Sequence, residues 1–227
     1  MKLFFYYCQF GFSNCYILGS EFPAGKEERC KGIGNEHLPL GGTRAAPHGE
    51  AIIIDPGCVE EEMVQFIEDN EYTLRAILIT HDHLNHVKGL RALMRIYDAT
   101  IYAVNPVVRN LPANLIRDGD TLNIGAFTVE VISVPGHSAD SAVFKIDRML
   151  FTGDALTAGL VGRTASIYGE TIQMTALQSR LLSLPGDYTV FPGHGPPSSL
   201  EAERCFNEGI RLYQQQKKHR PSFKPII

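Results

Sequence analysis

Three histidines fall within six residues in Thr80-His81-Asp82-His83-Leu84-Asn85-His86. Neutral imidazole nitrogen suits zinc, iron and related divalent ions, so this spacing points first to a metal site. His81 and His83 are two residues apart, and in an extended segment both side chains point the same way. His86 follows three residues after His83, where a helix would begin, and can turn toward a neighbouring position. Asp82 lies on the opposite side of that extended segment and reads as a flanking or solvated carboxylate. Two more histidines, His137 and His194, each follow Pro-Gly, in ISVPGH and TVFPGH, and Asp154 closes MLFTGD. A carboxylate among imidazoles adds charge neutralisation and can bridge two metals.

Each of these residues comes just after an apolar run: ILITH, ISVPGH, LFTGD and TVFPGH. Strand ends open into loops, and reactive groups gather there on rigid supports. A single histidine after a strand is usually a hydrogen-bonded structural residue. HxHxxH followed in order by PGH, TGD and PGH fits that bland explanation poorly. His37 and His48 sit in a stretch without periodicity and read as solvent-facing.

The elements that must position these groups are legible along the chain. KLFFYYCQF and SNCYIL read as opening strands joined by a Gly-Phe turn. Residues 19–50 are rich in Gly, Pro and charge and read as a long loop or insertion. AIIIDPG is a buried strand and turn, VEEEMVQFIEDN an amphipathic helix, RAILIT a strand, VKGLRALMRIYD a helix and ATIYAV a strand. FTVEVISV, SAVFKI and MLFTGD follow as an antiparallel-looking run. TIQMTALQSRLLSL is a helix, DYTVFPG a strand, and SLEAERCFNEGIRLYQQQKK a closing helix. Strands dominate both halves with helices interspersed, which suits a layered α/β sandwich better than a doubly wound sheet.

The bulk numbers agree. The chain has 227 residues, 44% hydrophobic and 20% charged. That is ample for the core of one large domain, here taken as 1–227. A net charge of −4 gives no field that points to nucleic acid or an anionic membrane. The short basic tail KKHRPSFKP reads as a solvated terminus. MKLFFYYCQF is too briefly apolar for a signal peptide, so a cytoplasmic setting is expected. The 5 cysteines are irregularly spaced, with no CxxC, which argues against a disulfide scaffold or zinc ribbon and leaves buried or incidental thiols.

THDHLNH, PGHS, FTGDAL and PGHG resemble the successive signature motifs of the metallo-β-lactamase superfamily, and NCYIL near the N-terminus fits as well. Within that superfamily the chain is most similar to the short glyoxalase II-like hydrolases, with GLVGRT (159–164) as the supporting segment. The resemblance implies an αββα four-layer sandwich with metals at one edge of two sheets. It implies a first metal on His81, His83 and His137, a second on His86, His194 and the residue at position 85, and Asp154 bridging both. It implies one or two divalent ions (zinc first, iron or manganese as alternatives) and a small-molecule substrate. The implied reaction is hydrolysis of a thioester or related acyl ester by a water or hydroxide held between the metals. Arg163 in VGRT is a candidate for a substrate carboxylate or phosphate, with an ordinary surface arginine as the alternative.

The family pattern is HxHxDH, and this chain has Asn85 where the pattern has Asp. Asn offers one neutral carbonyl oxygen in place of an anion, so a metal held there should bind more weakly. Asn85 could still accept a hydrogen bond from the attacking water, though less strongly than a carboxylate. Three outcomes stay open: a binuclear hydrolase with Asn85 as a weak ligand, a mononuclear iron site of the persulfide dioxygenase kind, or a metal-binding module with weak or no catalysis.

Overall fold

The computed structural model describes residues 1–21 and 49–219. The strands are β1 (Lys2–Cys8), β2 (Ser13–Glu21), β3 (Gly49–Ile54), β4 (Tyr72–Leu78), β5 (Thr100–Ala103), β6 (Val107–Val108), β7 (Leu111–Pro112) and β8 (Asn114–Leu115). Then come β9 (Thr121–Ile124), β10 (Phe127–Ser133), β11 (Ala142–Ile146), β12 (Met149–Gly153), β13 (Leu156–Thr157), β14 (Leu160–Val161), β15 (Thr189–Pro192) and β16 (Ser198–Ser199). The helices are α1 (Glu61–Asp69), α2 (Leu84–Val87), α3 (Leu90–Ile96), α4 (Ile167–Ala176), α5 (Leu200–Phe206) and α6 (Glu208–His219). A π-helical turn, Leu177–Leu181, continues α4.

Two six-stranded sheets form, ordered β1-β2-β3-β4-β5-β8 and β16-β15-β12-β11-β10-β9. The apolar runs explain why they stack. Every residue of β3 is buried. Ile52 and Ile54 face Phe144, Phe151 and Phe191 of the other sheet, while Ala51 and Ile53 face Met63 and Ile67 of α1 and Leu90 and Leu93 of α3. A strand covered on both faces needs apolar residues at consecutive positions, which is what AIII supplies. On the far side of the second sheet, Val143, Leu150 and Val190 pack against Met174, Leu177, Leu181, Leu200 and Ile210. The result is helix, sheet, sheet, helix, the four-layer αββα sandwich expected from the sequence.

Several elements differ in detail. The helix expected from VKGLRALMRIYD is two pieces, α2 and α3, and the first starts inside THDHLNH. The interruption falls at Gly89, whose N–H donates to the Pro56 carbonyl at 2.8 Å. A Cβ there would come within 2.5 Å of the Cys58 carbonyl oxygen, so the chain packs tightly on the 56–58 loop. The single closing helix is also two, α5 and α6. Asn207 separates them by leaving helical geometry (ψ 113°), donating to Glu203 Oε2 at 2.6 Å and capping α6 through Ile210 N at 3.0 Å. The helix at TIQMTALQSRLLSL starts earlier, capped by Ser166 accepting from Gly169 N at 3.0 Å, and its end is π-helical. β15 joins β12 in parallel, so the second sheet is mixed rather than wholly antiparallel.

Both ends of the loop insertion expected at 19–50 are strand instead. Residues 19–21 pair with 49–51 as the ends of β2 and β3, through Gly19↔Ala51, Ser20↔Glu50 and Glu21↔Gly49. Residues 22–48, with His37 and His48, lie outside the described residues, as does most of the basic tail. Among the described residues no helix is long and apolar enough to cross a membrane.

Candidate metal centre

Four sheet ends deliver the groups singled out in the sequence to one edge of the sandwich. His81 follows β4, His137 follows β10, Asp154 follows β12 and His194 follows β15. His83 caps α2, and Asn85 and His86 lie within it. His81 Nε2 and His83 Nδ1 are 3.0 Å apart, and His83 Nδ1 and His137 Nε2 are 3.1 Å apart. Asp154 Oδ2 lies 3.6 Å from His137 Nε2 and 3.9 Å from His81 Nε2. Its other oxygen, Oδ1, lies 2.7 Å from His194 Nδ1 and 3.5 Å from His86 Nε2. The carboxylate thus presents one oxygen to each of two donor clusters, His81–His83–His137 and His86–Asp154–His194.

The opposite ring nitrogens explain the orientations. Thr80 Oγ1 donates to Asp55 Oδ2 at 2.5 Å, so it accepts from His81 Nδ1–H at 3.0 Å. His137 Nδ1–H donates to the Arg163 carbonyl at 2.7 Å. His86 Nδ1–H donates to Asp55 Oδ2 at 3.0 Å. Each of these bonds fixes the tautomer and leaves Nε2 as a lone pair aimed into the centre, the usual arrangement around a ligating histidine. Nε2 of His86 is buried without a hydrogen-bond partner among the described residues. A buried ring nitrogen with no hydrogen-bond partner is costly, and a cation taking the place of its proton would satisfy it. The donors present therefore fit a divalent ion.

The electrostatics follow from burial and neighbours. Burial, with His86 nearby, pushes His81 down to about 3, so it is neutral and ready to ligate. Burial and His137 lower His83. Burial opposes charge on His86, but Asp55 and Asp154 outweigh it and raise the group to about 9. Burial also opposes charge on Asp154, yet its hydrogen bond with His194 and the nearby His86 hold it well below the usual carboxylate range. His194 is raised by its bond to Asp154.

Asn85 joins the second cluster, with its Nδ2 3.0 Å from His194 Nε2. That same nitrogen lies 3.1 Å from the Gly11 carbonyl. His194 thus faces Asp154 through Nδ1 and Asn85 and Gly11 through Nε2. The cluster around His83 gathers three imidazole nitrogens beside Asp154 Oδ2, whereas the second includes a neutral amide.

Asp82 stays out of both clusters, its N–H donating to Asp140 Oδ2 at 3.0 Å. Arg163 contributes its backbone carbonyl to His137, while its residue is exposed. The residue that the motif reading passed over is Asp55. It ends the same kind of apolar run as the ligands, in AIIIDPG, and that signal was available. Its carboxylate accepts from Thr80 N, Thr80 Oγ1 and His86 Nδ1. Gly193 is a second such residue. A Cβ there would stand 2.5 Å from Asp154 Oδ1 and 2.6 Å from His86 Cε1.

Known proteins resemble this chain in sequence and in fold. The profile of the Metallo-beta-lactamase superfamily matches residues 45–194. The chain is 31% identical over 182 residues to the probable metallo-hydrolase YqgX of Bacillus subtilis, covering 70% of this chain and 86% of that one. It is 32% identical over 149 residues to a hydroxyacylglutathione hydrolase of Methylobacillus flagellatus, covering 65% of this chain and only 58% of that enzyme. Among solved structures, ETHE1 from Myxococcus xanthus superposes with a TM-score of 0.72 at 24% identity, over 92% of this chain and 84% of that one. TTHA1623 in a di-iron-bound form superposes with a TM-score of 0.59 at 28% identity, over 70% of this chain and 88% of that one. With the profile running from just before β3 to His194 itself, the chain belongs to the metallo-β-lactamase superfamily.

Proposed function

We propose that the protein is a metal-dependent hydrolase of a thioester or related small acyl ester. The convergence of His81 Nε2, His83 Nδ1 and His137 Nε2, with Asp154 Oδ2 beside them, carries this reading. A divalent ion bound there would polarise the substrate carbonyl and make water a better nucleophile at neutral pH. Zinc is the first candidate, and the di-iron neighbour keeps iron in contention. His86 and His194, with Asn85, would hold a second ion more weakly, because Asn85 brings no charge.

The chain's own groups would do the rest. Asp55 and the Arg163 carbonyl hold the imidazoles in the ligating tautomer. Asp154, kept ionised, supplies negative charge to both clusters. Asn85 would orient the attacking water through its amide oxygen, and the exposed Arg163 side chain would meet a carboxylate on the substrate. Exposed Phe12 and Leu84 stand on segments that also carry the site, next to Gly11 and His83. Such a rim suits an apolar acyl or thiol moiety. Water would add to the carbonyl carbon, the C–S bond would break, and the thiol would leave with a proton. A cytoplasmic setting, where small thiol conjugates abound, completes the proposal.

The test is anaerobic hydrolysis of a panel of small-thiol thioesters, followed by release of free thiol. Turnover that is lost with chelator and with His83→Ala supports the hydrolase. A metal-loaded protein that releases no thiol from any of them would overturn it. Asn85 favours a second reading, a mononuclear-iron enzyme of the persulfide dioxygenase kind, because it weakens one cluster and spares the other. Oxygen uptake with a persulfide by the iron-loaded protein would mark that outcome, and metal binding without either activity would mark a binding module.

A further inference from the structure

Outside the metal centre the described residues bring two thiols close together. Cys8, the last residue of β1, and Cys58, in the loop after β3, have their sulfurs 2.6 Å apart. Both are free thiols, Cys8 buried and Cys58 partly exposed. The two residues are 50 positions apart in sequence, and β2 lies between their strands in the sheet. We propose that Cys8 and Cys58 form a reversible disulfide clasp that joins the β1–β2 hairpin to the Asp55–Cys58 loop.

What the clasp would join gives it meaning. The hairpin carries Gly11, whose carbonyl faces His194 Nε2 at 3.1 Å. It also carries Ser13, which lies against the Cys8 thiol and donates to the Asn85 carbonyl at 2.5 Å. The loop carries Asp55, which orients His86. Gly57 of the same loop packs against Asn85 so closely that a Cβ would strike its carbonyl oxygen. The clasp therefore ties together two backbone supports of the second donor cluster. It does not depend on which reaction the centre performs.

The chemistry is thiol–disulfide exchange with a small disulfide such as oxidised glutathione. The partly exposed Cys58 thiolate attacks one sulfur of that disulfide, forms a mixed disulfide and expels one small thiolate. Cys8 then attacks the Cys58 sulfur and expels the second. Two protein thiols are oxidised and one small disulfide is reduced to two thiols, so atoms and electrons balance. Burial raises both protein thiols, so neither is a strongly activated thiolate. Exchange should accordingly be slow at neutral pH and faster in mild alkali.

The test incubates the full chain at a series of reduced-to-oxidised glutathione ratios, then alkylates free thiols and maps the peptides. The expected result is a Cys8–Cys58 cross-linked peptide that appears as the ratio turns oxidising and disappears with dithiothreitol. Cys58→Ser, at the partly exposed position, should abolish it and leave Cys8 alkylatable after unfolding. If Cys8 substitution prevents folding, Cys58→Ser still decides. Cys8 and Cys58 both remaining as free thiols while the exposed Cys205 takes up glutathione would overturn the proposal. So would a cross-link from either cysteine to Cys15 or Cys30.

Discussion

Replacing Asp55 with Asn isolates the support beneath the metal centre from the ligands themselves. The change keeps the shape of the side chain. It also keeps the backbone, because Asp55 has φ 51° and Asn tolerates the left-handed region as Asp does. What changes is hydrogen-bond capacity. The carboxylate accepts Thr80 N–H on Oδ1 at 2.8 Å and both Thr80 Oγ1–H and His86 Nδ1–H on Oδ2, at 2.5 and 3.0 Å. An amide has one oxygen and one NH2. With its oxygen at the Oδ1 position, the NH2 faces two donors. With its oxygen at the Oδ2 position, the NH2 faces Thr80 N–H. Either way at least one buried donor loses its acceptor, which costs about 1–3 kcal/mol. If His86 is no longer held, its Nε2 lone pair no longer aims into the centre, and an outer-shell change of this kind weakens metal binding by about 10–100-fold. Urea unfolding of the metal-free protein reads the first effect, and titration against a chromophoric chelator reads the second. An Asn variant with the wild-type urea midpoint and wild-type metal affinity would refute the role given to Asp55.

In the metal-free protein His86 is raised from its ordinary 6.5 to about 9 by Asp55 and Asp154, against the effect of burial. Its charged contact therefore stabilises the fold fully below about pH 6.5, and that contribution is lost as pH rises through 9. Unfolding free energy of the metal-free protein should fall between pH 7 and 9.5, with a shallower fall in His86→Gln; equal slopes would show that another group is responsible. Gly193→Ala places a methyl within 2.5 Å of Asp154 Oδ1 and 2.6 Å of His86 Cε1, so one of them must shift. It should destabilise the fold by about 1–3 kcal/mol through overpacking and lower metal content, and an unchanged melting curve would mean the loop yields more easily than its packing implies.

The sandwich was legible because most strands near the centre are apolar runs that end at a polar group. AIII and AILI are buried throughout, as are Leu150 and Phe151 of MLF, and that environment leaves little choice of residue. The candidate ligands stand out in the sequence as the first titratable side chains after such apolar runs. The breaks in the helices were not legible, because they depend on tertiary contacts. Nothing local in VKGLRALMRIYD shows that Gly89 will rest on the Pro56–Cys58 backbone, and Asn207 breaks its helix by reaching Glu203 and the Leu160 carbonyl. Asp55 shows a different failing. Its strand-end position matched the ligands, but its work is to orient imidazoles, and pattern reading ranked ligands above their supports. Arg163 illustrates the limit from the other side. The contact it makes to His137 is through its carbonyl, which no side-chain motif encodes. The closeness of Cys8 and Cys58 likewise depends on strand order, since β2 separates their strands.

Metal per chain is the most direct measure of the proposed centre, in which Asn85 would weaken the second cluster. It is best read by plasma mass spectrometry on wild type, Asn85→Asp and His83→Ala, each purified without chelator and dialysed against a common low metal concentration. The expected pattern is one tightly held ion in the wild type with a partial second, close to two in Asn85→Asp, and a loss of the tight ion in His83→Ala. Equal metal content in wild type and Asn85→Asp, or a tight ion that survives His83→Ala, would contradict it.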